Sequence, residues 1–297
     1  MKNTFNNNKN QDWGGSWTVK KLDAFEKYVN AYLSIMEINS FWKTIYFDGF
    51  AGSGEVQRRN NKELIEQLCL IEDEQNVYRG AAERIVGLDK KFSFYYFIEK
   101  NDSAREKLKV KLIEKAPNLE SCLVFKESDC NSQLKELASV LQKSRKYASL
   151  IFLDPFGMQI DWSTIAKLEG TRSDIWILIP TGVIVNRLLD KKGELKNISK
   201  LESFFGLPKE EILKEFYSVR NELTLFGDIN ETVTKVMDPI NKISRLYAKN
   251  LASIWDFVTP SPLRLTNSNN VPIFHFIFAS NNKNAVKIAQ QIIDKIN

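Results

Sequence analysis

Four short apolar runs in this 297-residue chain lead directly to acids. They are IYFD, ending at Asp48; FYYFI, followed by Glu99; CLVFK, followed shortly by Asp129; and SLIFL, followed by Asp154. Runs of this length between turn signals read as buried strands. A carboxylate at a strand end can accept hydrogen bonds from hydroxyl, amine or amide groups of a bound molecule. Their coincidence says more than any one of them, because a doubly wound sheet binds its ligand beyond the carboxyl ends of its strands.

Asp48 opens the loop DGFAGSGE, with Gly49, Phe50, Ala51, Gly52, Ser53 and Gly54 in succession. Glycine lacks the Cβ that keeps backbone away from a ligand. Glu55 stands where a phosphate loop needs Gly-Lys-Ser/Thr, and the G-x-x-G-x-G spacing is not that of a dinucleotide turn. An acid just before the glycines suits a cofactor with a cationic amino-acid end; the alternative is a tight turn that binds nothing. Glu99, next to Lys100, can accept both hydroxyls of a ribose, or it is a solvated strand-end acid. Asp129, next to Cys130, can accept from an adenine amino group, or it caps the following helix. Asp154 and the Pro155 carbonyl offer two acceptors, with Phe156 as an aromatic neighbour. Together they would hold an amine with its lone pair aimed at an electrophile; the alternative is a Pro-Gly turn. Phe50, Phe156, Trp162 and Trp255 are candidate site aromatics. Arg58, Arg59, Arg79, Arg84, Arg172 and Arg187 are candidate phosphate contacts.

These residues need a frame. Apolar positions three or four apart predict a helix from Thr18 to Ile38, with Trp17 and Lys21 at its start. Strands at 44–47, 93–98, 122–126, 149–153 and 174–179 alternate with helices, which implies a parallel sheet covered on both faces. Two late runs, 257–266 and 272–279, read as a hairpin that adds an antiparallel strand, and a helix closes the chain. Residues 56–91 contain an insertion near the crevice. The expected fold is a doubly wound Rossmann-like α/β sheet formed by 17–181 and 256–297. A mostly helical subdomain, 182–255, is expected to be inserted in it, and a disordered tail, 1–16, to precede it.

Composition narrows the class. Hydrophobic residues make up 43% and charged residues 27%, as in soluble globular proteins. No apolar run approaches the roughly 20 residues of a membrane span, and the polar N-terminus has no signal-like apolar core. Three cysteines, none in a CxxC pair, and one histidine, His275, argue against a zinc or iron–sulfur site and against a Ser-His-Asp hydrolase. Sparse cysteines fit a reducing cytoplasm. A net charge of +5 is compatible with a polyanionic partner without demanding one.

In order, DGFAGSGE, FIEKN, SDCN and LDPFG resemble the cofactor and catalytic motifs of class I S-adenosylmethionine-dependent methyltransferases. With WTVKKL and VPIFHFIFAS added, the chain resembles the three-Cys-motif partner protein family over most of residues 17–290. The resemblance implies that Asp48 and the glycine loop hold the methionine end of S-adenosylmethionine, Glu99 the ribose and Asp129 the adenine, with Lys21 reaching the cofactor carboxylate. Asp154, Pro155 and Phe156 fall where amino methyltransferases of adenine and cytosine carry DPPY; Phe156 and Gly157 depart from that motif. The implied activity is methyl transfer to an amino nitrogen of a nucleic-acid base. A protein or small-molecule acceptor, or a non-catalytic cofactor-binding module, is the alternative. The implied partners are RNA or DNA and a protein carrying a three-cysteine motif.

Overall fold

The computed structural model describes residues 16–52, 75–155, 157–223, 229–267 and 269–296. Ser53, Gly54, Glu55, Arg58, Arg59 and Phe156, the expected tail up to residue 15, and much of the expected insertion lie outside them.

Helix α1 (Ser16–Ile38) presents Leu22, Phe25, Val29 and Leu33 as one buried stripe. It leads into β1 (Lys43–Asp48). Then come α2 (Gln75–Val86), β2 (Phe94–Ile98), α3 (Asp102–Lys115), β3 (Leu123–Lys126), α4 (Cys130–Lys143), β4 (Tyr147–Leu153), the short α5 (Trp162–Ile165) and β5 (Ser173–Ile179). Asn101 caps α3 by accepting from the Ala104 amide, as the Asn-Asp start of that helix predicts. The five strands are parallel in the order β3-β2-β1-β4-β5.

After β5 the chain forms α6 (Ile198–Phe205), α7 (Lys209–Phe216), an antiparallel hairpin of β6 (Tyr217–Leu223) and β7 (Ile229–Lys235), and α8 (Pro239–Leu251). Residues 182–255 thus hold helices and this hairpin. Its strands, YSVRNEL and INETVTK, are too polar for their period of two to stand out among Lys- and Glu-rich helices. Leu201, Phe205, Ile212, Phe216 and Leu251 join the core against one face of the main sheet, so this segment does not build a core of its own. The chain returns as β8 (Phe257–Val258), β9 (Leu263–Thr266) and β10 (Pro272–Ser280), and ends in α9 (Lys283–Asp294). Strand β10 pairs antiparallel with β5 on one side and with β8 and β9 on the other. The result is the expected doubly wound, mostly parallel, Rossmann-like sheet.

Side chains alternate between two buried faces. One face is aromatic: Tyr46, Tyr95, Phe97, Phe152, Trp176 and Phe278 pack beneath α1, α2, α3 and α9. Phe25 of α1 stacks on Phe152 with ring centroids 4.2 Å apart. The other face is mostly aliphatic, with Ile45, Ile151, Leu153, Ile175 and Ile177 beneath α4 to α8. His275 is buried, with Nδ1 2.8 Å from Thr181 Oγ1. Burial and the nearby Arg264 charge push its pKa down to about 4, so the ring is neutral.

Thr181 begins a wide helical turn that lies directly on β10. A Cβ at Gly182 would fall 2.0 Å from the Pro272 carbonyl oxygen, and backbone cannot give way cheaply. Gly182→Ala should therefore destabilise the fold by about 3 kcal/mol, read as a lower urea midpoint at unchanged slope.

Candidate functional site

Parallel pairing brings the acids together. Asp48 lies opposite Phe97 of β2 and Phe152 of β4, so these three strands end at nearly one level. The chain leaves β1 toward β2 on one side, while β4 lies on the other; the strand order reverses here, and a crevice opens. The period of two then sorts the side chains. Asp48 follows Tyr46, Glu99 follows Phe97 and Asp154 follows Phe152, all on the aromatic face. The three carboxylates are only 1%, 5% and 3% exposed.

Each is held differently. Asp48 accepts the Phe50 amide at 3.1 Å and the Tyr46 hydroxyl at 3.2 Å. Burial, with the Asp154 and Glu99 charges adding to it, pushes its pKa up to about 7 against those two hydrogen bonds. Glu99 accepts the Asn101 amide at 2.7 Å; burial raises its pKa, while bonds from Asn101, Gly52 and Lys100 amides oppose the rise. Asp154 receives the Lys21 ammonium at 2.5 Å, and both side chains are almost fully buried. Burial raises the Asp154 pKa, and the Lys21 charge pulls it back. Lys21 Nζ also lies 5.3 Å from the centre of the Trp17 ring, within cation–π range. Lys21 and Asp154, 133 residues apart in sequence, are thus direct partners across α1 and the end of β4.

Beyond the acids lies a cleft of about 300 Å³. Gly49, Phe50, Glu99, Lys100, Asp129 and Cys130 line it, so much of the expected cofactor set shares one space. Asp129 caps α4 through the Ser132 amide at 3.1 Å and hydroxyl at 2.6 Å. The Ser132 hydroxyl bond is the largest influence holding its carboxyl below the usual range. It remains half-buried and turned to the cleft, so capping and ligand contact do not exclude each other. The Cys130 thiol is buried, and burial keeps its pKa well above normal; it is neutral and serves packing. A Cβ at Gly49 would meet its sulfur at 2.5 Å and Leu153 at 2.7 Å. Gly49 is therefore required by the seating of α4, whereas a Cβ at Gly52 would meet nothing nearer than Glu99 at 3.6 Å. Ala51 is buried, with its amide on the Ile98 carbonyl at 3.0 Å. Pro155 is buried beside Asp154.

Asn131 and Gln159 are among the lining residues outside the expected site set. Asn131 donates to the Gln159 carbonyl at 2.8 Å and accepts the Asp161 amide at 3.0 Å, tying the loop after β4 to the start of α4. Asn131 follows the Asp129-Cys130 pair in sequence, but its partner lies 28 residues on. Other expectations do not hold. Trp255 is buried and donates to the Ser173 carbonyl at the start of β5, at the far end of the sheet from the acids. Arg172 is at that end too, with its guanidinium 3.9 Å above the Trp42 ring. Arg84 is engaged by Asp23 and Glu26 on α1. Trp162 lies edge-on to Tyr247 in the aliphatic-face core. These positions depend on chain crossings that composition does not reveal.

Among the described residues no group of His, Cys, Asp and Glu could hold a metal ion, and no helix is long and apolar enough to cross a membrane. No family model matches the chain, and no curated protein matches it. Its tie to the three-Cys-motif partner family is thus a likeness of motifs. Solved structures similar to it include a Legionella pneumophila protein described as DUF519, at 12% identity and TM-score 0.35, with 88% of this chain and 97% of that one covered. Spermidine synthase in complex with the transition-state analogue AdoDATO is another, at 7% identity and TM-score 0.37, with 92% of this chain and 62% of that one covered. The fold assignment rests on strand order and crossovers.

Two outcomes follow from the buried charges. Asp48 titrates near 4 when unfolded and at about 7 when folded. The folded state binds the extra proton between those values, so this group's contribution to stability falls as pH rises from 4 to 7. Asp48→Asn should leave the melting temperature unchanged at pH 4 and raise stability at pH 8 by about 2 kcal/mol. Lys21→Met removes the lysine charge beside the buried Asp154 and should cost about 3 kcal/mol at pH 8, with part of the loss recovered at pH 5 as Asp154 takes up a proton.

Proposed function

We propose that this chain is an S-adenosylmethionine-dependent methyltransferase acting on an amino nitrogen of a nucleic-acid base. The observation that carries the proposal is the shared cleft at the strand-order reversal. Ribose- and adenine-type acceptors, Glu99 and Asp129, line it, and Asp48 and Asp154 stand at the ends of the neighbouring strands β1 and β4. The residues fit such a cofactor. Glu99 lines the cleft with a carboxylate that would accept a ribose hydroxyl, and Gly52 leaves room beside it. Asp48, with the turn at Gly49, would meet the cationic amino-acid end. When bound, the cofactor supplies a methyl group on a positively charged sulfur.

The chain's own residues would position the acceptor. Asp154 and the Pro155 carbonyl would accept hydrogen bonds from the target amine, and the carboxylate would balance the positive charge that grows on nitrogen. Lys21 holds Asp154 in place where water is excluded, and the amine must share that carboxylate with it. A duplex base would have to leave its stack to reach so deep a site, with Phe156 as its stacking partner. A second reading keeps the cofactor and changes the acceptor to a protein, such as a three-cysteine-motif partner, or to a small molecule. The Lys21–Asp154 pair and the Phe156-Gly157 departure from DPPY favour keeping it in view.

Incubation with methyl-labelled S-adenosylmethionine and separate RNA, DNA and protein pools decides between the acceptors. Label in nucleic acid supports the first reading, and label only in protein supports the second. Asp154→Asn should bind the cofactor as wild type does and lose methyl transfer by at least about 100-fold; unchanged turnover would remove Asp154 from the chemistry. Gly52→Ala should melt as wild type does and bind S-adenosylhomocysteine about 10-fold or more weakly, since the new methyl group intrudes only on a ligand. Equal binding by calorimetry would move the ligand away from this turn.

A further inference from the structure

A second cavity, of about 290 Å³, opens at the opposite pole of the sheet, between α1, the starts of β4 and β5, and the end of β10. At its base, Asp174 receives the Tyr28 hydroxyl at 2.7 Å and the Ser280 hydroxyl at 2.6 Å. Two more hydroxyls at the cavity, Ser149 Oγ and Tyr32 Oη, are buried and have no hydrogen-bond partner among the described residues. Leaving such groups unpaired is costly, and native structures normally satisfy them with water or a ligand. At the mouth, the exposed Arg172 guanidinium is fixed over the Trp42 ring. The Tyr32 hydroxyl feels both the Asp174 and Arg172 charges, and all three residues line the cavity. Ile35, Met36 and Ile288 supply apolar wall.

We propose that this cavity is a second ligand site, taking a small zwitterion of the α-amino-acid class with an apolar side chain. The amine would meet Asp174 and the free Ser149 hydroxyl. The carboxylate would meet Arg172 and the Tyr32 hydroxyl, and the side chain would lie on Ile35 and Met36. The volume is near the lower end of small-molecule sites, in keeping with a ligand the size of one amino acid. Helix α1 forms this cavity with Tyr28 and Tyr32 and reaches the other pole with Lys21, so one element touches both sites.

The test uses the full chain and three probes: L-phenylalanine, phenethylamine and 3-phenylpropionate. L-phenylalanine should bind saturably by calorimetry and raise the melting temperature by about 5 °C at 100-fold over its Kd. Each probe lacking one charge should bind at least 10-fold more weakly. Arg172→Gln, a change at an exposed side chain, should bring L-phenylalanine down to the level of phenethylamine and leave phenethylamine unaffected. Asp174→Asn should do the reverse, matching 3-phenylpropionate. No saturable binding by L-phenylalanine or by L-leucine would overturn the proposal and leave a water-filled structural network. Binding that neither variant changes would also overturn it, by placing the ligand elsewhere. Competition with S-adenosylhomocysteine separates this site from the cofactor cleft: displacement would mean the amino acid occupies that cleft, which likewise overturns it.

Discussion

The Lys21–Asp154 ion pair is the interaction on which the functional end of this protein depends. Two opposite charges are held at 2.5 Å in a place almost sealed from water. Each would be costly to bury alone, and their attraction together roughly offsets the desolvation. Because one charge comes from the first turns of α1 and the other from the end of β4, the pair fixes where the N-terminal helix crosses the sheet. Phe25, one turn further along α1, then stacks on Phe152, two residues before Asp154. Charge pairing and aromatic packing set the same register.

That register shapes the electrostatics of the crevice. Among the described residues Asp48 is hydrogen-bonded by an amide and a phenol and has no cationic partner comparable to Lys21. With a pKa of about 7, it is poised between its two charge states. A cationic group arriving beside it would favour ionisation and release a proton. The two inner acids therefore differ in kind: one is already neutralised by a lysine, and the other waits for a charge. A crevice of this sort selects for ligands with a positive end, which agrees with an aminoacyl nucleoside better than with a phosphate.

The same helix organises the opposite pole. There Asp174 is tied down by Tyr28 and Ser280, and burial raises its pKa to about 6. The aromatic face between the poles is close-packed, from Phe25 through Phe152 and Phe276 to Trp176. Interiors of this density transmit strain, and α1 packs against this face along its length.

Much of this was legible in the residues. The apolar runs located the five parallel strands, and the acids after them marked where those strands end, because strand ends in such a sheet are defined by local sequence. The loop at Asp48, Glu99, Lys100, Asp129 and Cys130 could be assembled into one site for that reason. The β6–β7 hairpin was not legible, since its polar strands borrow their stability from pairing with each other and not from an apolar pattern. Nor was the reason for Gly49, which answers to a sulfur 81 residues away, nor the placement of Trp255 and Arg172 at the far pole. By itself the sequence determined strand identity, strand ends and the chemical types gathered there, because these follow from local periodicity. Only the tertiary structure decided that Lys21 meets Asp154, that Asn131 holds the loop after β4, and that Asp174, Arg172 and two unpaired hydroxyls share a cavity. Such pairings depend on which helix crosses which strand, and that is settled by packing across the whole sheet.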